Sequence, residues 1–191
     1  MAENIIQSLQ KEHRVSLIQT YLKEIVYGGS DGIVTTFAVV AGFTGAQIAQ
    51  SLPGYSFLIV FLFGLANLFA DGISMGLGNF LSLRSEKDVY KKEEKKEKQS
   101  LIKNAKREKE ETEAILVEKG FGKGEAKKLT EIYSTNPSYW LSFMMNHEHE
   151  MPNPGRENPV FTGIATFFAF VFFGSIPLAP FLLTNSAEAA F

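Results

Sequence analysis

The chain has 191 residues, a formal charge of −2 and no cysteine, with 45% apolar and 21% charged residues. The missing cysteines exclude a disulfide scaffold and any thiolate metal or redox site, and the near-zero charge gives no support to nucleic-acid binding. The charges are segregated: residues 32–83 hold Asp71 alone and 158–187 hold none, whereas 84–131 carry 15 of the 19 basic and 12 of the 21 acidic residues.

In chain order, residues 1–28 read as an amphipathic segment on a membrane surface, with Ile5, Leu9, Leu17, Ile18, Tyr21 and Leu22 as its apolar stripe. The next 52 residues carry one charge, and a soluble helix pair of that length would need a wet face. They fit two membrane helices of about 20 residues each, placed at 29–49 and 56–83 and joined by a turn at Pro53-Gly54. Nothing between Ser82 and Lys98 stops a helix, so the second span is expected to run on into the charged segment. That segment, 84–157, reads as a three-helix module, with a turn at Gly120-Phe121-Gly122-Lys123-Gly124 and breaks at Asn136-Pro137 and Pro152-Asn153-Pro154-Gly155. Its last helix is expected over Ser138 to about Met151. A third span fits 159–183, and 158–191 ends in the start of another loop. The fold class is therefore all-α: a multi-pass helical membrane protein with a module inserted between spans two and three. Lys11, Arg14 and Lys23 near the N-terminus, 16 Lys and Arg in 84–157 and none in the 50–55 turn place the N-terminus and the module in the cytoplasm.

Several groups of residues can carry chemistry. Asp31 opens the first span within Tyr27-Gly28-Gly29-Ser30-Asp31-Gly32, and Glu24 lies seven residues earlier, two turns away on the same face. Asn67, Asp71, Met75 and Asn79 recur every four residues along one face of the second span. A carboxylate at mid-bilayer costs about 2.5–3.5 kcal/mol on insertion scales and as a rule lines a polar pathway; the alternative is a hydrogen bond that only packs helices. In the module, Glu94 with Glu97 and Glu110 with Glu113 are i,i+3 pairs able to share a divalent cation, although the interleaved lysines also fit a solvated Glu/Lys face. Met144 and Met145 precede Glu148 by one helical turn, with His147 and His149 beside them. Thioether, imidazole and carboxylate together suit a borderline transition metal such as Fe(II); the alternative is a methionine pair in the module core. No phosphate loop, nucleophile elbow, zinc-hydrolase helix or Glu-x-x-His pair occurs, so the chain does not read as an enzyme.

The runs Tyr27-Gly28-Gly29-Ser30-Asp31-Gly32-Ile33-Val34-Thr35-Thr36-Phe37-Ala38-Val39-Val40-Ala41-Gly42 and Ala70-Asp71-Gly72-Ile73-Ser74-Met75-Gly76-Leu77-Gly78 resemble the vacuolar iron transporter family, and Phe143-Met144-Met145 extends the likeness over nearly the whole chain. The resemblance implies a five-span homodimer in a lipid bilayer that exchanges cytosolic Fe(II), with Mn(II) as a second cargo, for protons. It implies no permanently bound cofactor and no nucleic-acid partner. It assigns the pathway to Asp31, Met75 and Glu24, and metal gathering to paired glutamates, Met144, Met145 and Glu148. Glu110 and Glu113 fit the paired glutamates best, ahead of Glu94 and Glu97. Where some members have a glutamate eight residues before the span-two Met, this chain has Asn67, with Asp71 one turn further on. Spans four and five are expected beyond Phe191. Either a bacterial inner membrane or a vacuolar membrane fits. The competing reading is a membrane-anchored metal-binding or metal-sensing protein without transport.

Overall fold

The structure, a computed structural model, describes residues 16–45, 56–155 and 157–183. The Pro53-Gly54 turn and the stripe residues Ile5 and Leu9 lie outside the described residues. The elements are all helical, with no strand among the described residues. After a single turn at Leu17–Thr20 come α1 (Leu22–Gly45), α2 (Ser56–Lys103), α3 (Ala105–Glu118), α4 (Lys123–Ser134), α5 (Pro137–His147) and α6 (Pro159–Gly174). A 3₁₀ turn at Ile176–Leu178 leads to a short α7 (Ala179–Leu183). Three helices are long and apolar enough to cross a membrane: Leu22–Phe43, the one beginning at Leu58, and Pro159–Phe181.

Two boundaries differ from the sequence reading. The first spanning helix begins at Leu22 rather than near residue 29, so Glu24 lies inside it. No breaker separates Leu22 from Gly28, and neighbouring turns tolerate glycine in a packed membrane helix. The module's last helix stops at His147 instead of Met151. Beyond it Glu150 takes a positive φ of 52°, which breaks the helical path.

The chain divides into two compact units, Met1–Ser82 with Glu157–Phe191, and Leu83–Arg156. In the first, α6 packs on α1 and α2 through small residues. A Cβ on Gly163 would sit 2.6 Å from the Gly76 carbonyl oxygen, and one on Gly76 would sit 2.8 Å from the Gly163 oxygen. Gly32 meets the Phe170 carbonyl in the same way, and a Cβ on Gly174 would lie 2.8 Å from the Gly32 oxygen. Lipid is as apolar as leucine, so backbone proximity rather than water exclusion holds such helices together. A polar tie adds to this: Asn79 Nδ2 donates to Thr166 Oγ1 at 2.7 Å. Large side chains such as Phe37, Phe63, Leu77 and Phe168 point outward, as lipid requires.

The second unit is built by helix ends that read directly from sequence. Gly120 (φ 100°) closes α3 in a Schellman turn, with Phe121 N–H donating to Leu116 O at 3.1 Å. Glu125 Oε2 accepts from Gly122 N–H at 2.9 Å at the start of α4. Asn136 Oδ1 accepts from Tyr139 N–H at 3.2 Å, with Pro137 at the first position of α5. The core joins Leu101, Leu116, Ala126, Trp140, Phe143 and Met144. At its centre, Trp140 Nε1 donates to Thr112 Oγ1 at 2.8 Å, and that hydroxyl donates to Glu108 O at 2.7 Å. Thr112→Val should strand the indole N–H in an apolar core and cost about 1–3 kcal/mol. Trp140 is the chain's single tryptophan, so thermal unfolding followed by its fluorescence reports the loss directly. Thr112→Ser should recover most of the stability; equal melting of Thr112→Val and wild-type chains would refute the role of the hydroxyl bridge.

Candidate functional site

The second unit gathers carboxylates from three places. The buried stripe of α3 runs Glu108, Thr112, Leu116, one residue per turn. An acid therefore occupies a core-facing position. On α2 the buried positions Tyr90, Glu97 and Leu101 do the same for Glu97. Only 5% of Glu97 and 3% of Glu108 is exposed. No hydrogen-bond donor among the described residues reaches Glu97 Oε1 or Glu108 Oε2. The other Glu108 oxygen accepts from the Ser100 hydroxyl, and the other Glu97 oxygen lies 3.1 Å from His149 Nε2.

Glu111, one turn along α3 from Glu108, and Glu148, at the end of α5, complete the cluster. Glu97, Glu148 and His149 each bring one ligand atom to within 4.8 Å of the others, and so do Glu108, Glu111 and Glu148. Glu148 belongs to both triads. Glu111 Oε1 is also paired with Arg107 Nε at 2.8 Å on the exposed side. Burial foremost pushes the Glu108 carboxyl above the ordinary carboxylate range; the Ser100 hydroxyl opposes this, and the negative charges of Glu97 and Glu111 add to it. Glu148 is exposed as a residue, yet loss of water around its carboxyl, followed by the charge of Glu97, pushes it up as well, with His149 pulling the other way. Among the described residues, the two buried acids, Glu97 and Glu108, each keep an unused oxygen and form no salt bridge to lysine or arginine. Such groups favour a cation as the missing neighbour. Oxygen and nitrogen donors in this number suit a divalent ion.

Of the residues singled out from sequence, Glu97 and Glu148 come together here. Glu94 is half-buried beside Tyr90, whose phenol is raised by burial first and then by the Glu94 charge. Glu110 is exposed and Glu113 half-buried, and neither joins a triad. Met144 and Met145 are fully buried. Met144 packs in the core with its Sδ 3.2 Å from the Thr112 hydroxyl. The sequence reading sets His147 and His149 beside the Met144–Glu148 group without choosing between them, and it does not assign Glu108 or Glu111 to the site. For Glu108 a signal is available: it lies one i,i+4 step, about 40°, from the buried Thr112, while Glu110 lies about 160° from Thr112.

In the membrane unit, Glu24 is buried with Oε2 unpartnered, while Asp31 is exposed on the single chain. The stripe Asn67, Asp71, Met75, Asn79 is half-buried throughout. Asn67 Nδ2 donates to Asp71 Oδ2 at 2.8 Å, so the two positions act as one hydrogen-bonded pair. Asn67 also lines a recess with Ala38, Val39, Gly42, Phe43 and Phe63. Met75 packs against the cluster around Leu68 and Phe170.

A sequence profile described as the VIT family matches residues 22–191. Among curated relatives, a vacuolar iron transporter of Toxoplasma gondii is 37% identical over 174 residues, which is 90% of this chain and 55% of that protein. Vacuolar iron transporter 1 of Arabidopsis thaliana is 33% identical over 169 residues, 88% of this chain and 65% of the relative. A vacuolar iron transporter of Centaurea cyanus is 31% identical over 189 residues, 99% of this chain and 74% of its own length. The chain thus spans less than two thirds of the length of the first two of these relatives.

Proposed function

The chain belongs to the VIT family, and from that premise we propose that it takes part in moving Fe(II), with Mn(II) as a second cargo, out of the cytosol across a membrane in exchange for protons. The observation that supports this most is the pair of buried carboxylates, Glu97 and Glu108, each with an unpartnered oxygen, in the cluster that Glu111, Glu148 and His149 complete. In this reading the Leu83–Arg156 unit is cytoplasmic and gathers metal. The acids of the spans, Asp31, Asp71 and Glu24, with Asn67 and Met75, carry it through the bilayer.

Proton exchange follows from carboxylate chemistry. A desolvated carboxyl favours its protonated form until a cation arrives. The arriving metal expels the proton, and its departure restores it. The exposure of Asp31 on a single chain supports a homodimer, because a charged side chain in a span faces protein or water rather than lipid. The lysine and arginine distribution supports a cytoplasmic N-terminus, in a bacterial inner or a vacuolar membrane.

The test is Fe(II) flux into proteoliposomes holding the full-length protein, driven by a pH gradient. Asp31→Asn should reduce flux to the protein-free background while leaving the protein folded. Flux in that variant equal to wild type removes Asp31 from the pathway. Wild-type flux that ignores the gradient removes the proton exchange.

A further inference from the structure

His149 has no role in the reading above beyond its place in the cluster, and that place is unusual. It follows Glu148 directly, so on a continued helix the two side chains would diverge by about 100°. They converge because the helix has ended. Met144 O accepts from both Glu148 N–H (2.9 Å) and His149 N–H (3.2 Å), and Met145 O accepts from Met151 N–H at 2.9 Å. Between these ties Glu150 sits at φ 52°, a conformation uncommon for a residue with a side chain. The turn is held at both ends, and it delivers the imidazole to the buried Glu97, with Nε2 3.1 Å from Oε2. Glu97 keeps its other oxygen buried and unpartnered. His147, two residues earlier, is exposed and stacks on Phe143 with ring centroids 4.6 Å apart, so the site takes one histidine and not its neighbour.

We propose that His149 is a metal-coordinating residue of this cluster, and that its nitrogen makes the site select borderline divalent ions such as Fe(II), Co(II) or Zn(II) over Mn(II), Mg(II) and Ca(II). The proposal rests on the reading of the carboxylate cluster as a metal site. Glu97 and Glu148 alone form a hard oxygen site, which binds Mn(II) and Mg(II) readily. One imidazole shifts preference toward ions later in the transition series. The same carboxylate that orients the ring holds it ready for an ion placed between His149, Glu97 and Glu148.

The experiment uses the full chain, solubilised in detergent and stripped of metal, with Co(II) and Mn(II) as probes. Isothermal titration gives both affinities, and the electron spin echo of bound Mn(II) reports nitrogen coordination through ¹⁴N modulation. Wild type should bind Co(II) at least about tenfold tighter than Mn(II). His149→Ala and His149→Gln should each lose about tenfold or more in Co(II) affinity but less than about threefold for Mn(II), and both should lose the ¹⁴N modulation. His147→Ala should change neither, and Trp140 fluorescence checks that each variant is folded. Unchanged Co(II) affinity and ¹⁴N modulation in both His149 variants would overturn the proposal and leave the carboxylate site standing. Unchanged binding of both ions in Glu97→Gln/Glu148→Gln would overturn the carboxylate reading itself, and this proposal with it.

Discussion

Glu148→Gln is expected to weaken Mn(II) binding to the full chain by about 100-fold, or roughly 2.8 kcal/mol, more than any other single carboxylate change in the module. Glu148 is the one ligand common to both triads, so its charge is removed from every arrangement the cluster can offer a cation. Glu110→Gln, on the exposed face of α3 and outside both triads, should bind as wild type does. Titration calorimetry of the two variants side by side separates a specific cluster from general attraction by the acidic surface. Equal affinity in Glu148→Gln and wild type would remove the cluster as a site.

The same acids set a pH dependence whose sign is fixed by their environment. Glu108 and Glu148 are both held above the ordinary carboxylate range, chiefly by burial. In the unfolded chain they ionise near the usual glutamate value of about 4.3. Their contribution to stability is therefore fully present below that value and is lost as pH rises through the raised folded values. Metal reverses the trend, since binding displaces the protons and affinity grows with pH over the same window. Glu108→Gln should accordingly make the metal-free chain more stable at neutral pH by on the order of 1 kcal/mol, with weaker metal binding. Melting curves at pH 5 and pH 7, with and without Mn(II), show both effects.

How much of this is legible in sequence depends on the kind of signal. The spans and the continuous α2 follow from where charge is absent and where no breaker occurs, and these are properties of long windows. Helix ends in the module follow from Gly120 and Asn136-Pro137, each with a local hydrogen-bonding reason. The cluster is different. Choosing Glu110 and Glu113 over Glu108 and Glu111 turns on a two-residue shift within a Glu/Lys-rich stretch where every position looks polar. The phase of the apolar stripe, set by Thr112 and Leu116, separates Glu108 from Glu110, but it does not separate Glu111 from Glu113, which lie about 100° to either side of Thr112 and are both half-buried. His149 is harder still, because its direction depends on a helix ending at His147 and on a positive φ at Glu150 that no local sequence rule demands. For Met144, the one-turn spacing from Glu148 is real, but Thr112, 32 residues away, claims the neighbourhood of its sulfur.

Gly163→Leu is expected to prevent assembly of the membrane unit. A Cβ at that position would already lie 2.6 Å from the Gly76 carbonyl oxygen and 3.1 Å from Phe80 Cβ. The first neighbour is backbone and cannot rotate away, so α6 must separate from α2. Overpacking in a core costs about 1–3 kcal/mol or more, and here the separation also breaks the Asn79–Thr166 hydrogen bond one turn along. Gly78→Leu is the matched control: the same residue change on the neighbouring α2, at a glycine with nothing within 4 Å of the added Cβ. Size-exclusion profiles of fluorescently tagged chains should show a sharp peak for wild type and Gly78→Leu and aggregate for Gly163→Leu. A sharp peak for Gly163→Leu would mean that the Gly76–Gly163 crossing does not hold the unit together. The consequence reaches the proposed pathway, because α6 is what α1 and α2 both pack on. On α1 the Gly28 and Gly32 face that meets α6 also carries the buried Glu24, one turn before Gly28. On α2 the Gly72 and Gly76 face lies beside Asp71 and Met75. Gly163→Ala adds that Cβ without the branched side chain beyond it, so α6 should shift off Gly76 while the unit stays assembled, and the acids are displaced relative to one another. Its expected signature is reduced Fe(II) flux at an unchanged metal affinity of the Leu83–Arg156 unit, a combination that a lesion in the carboxylate cluster cannot produce.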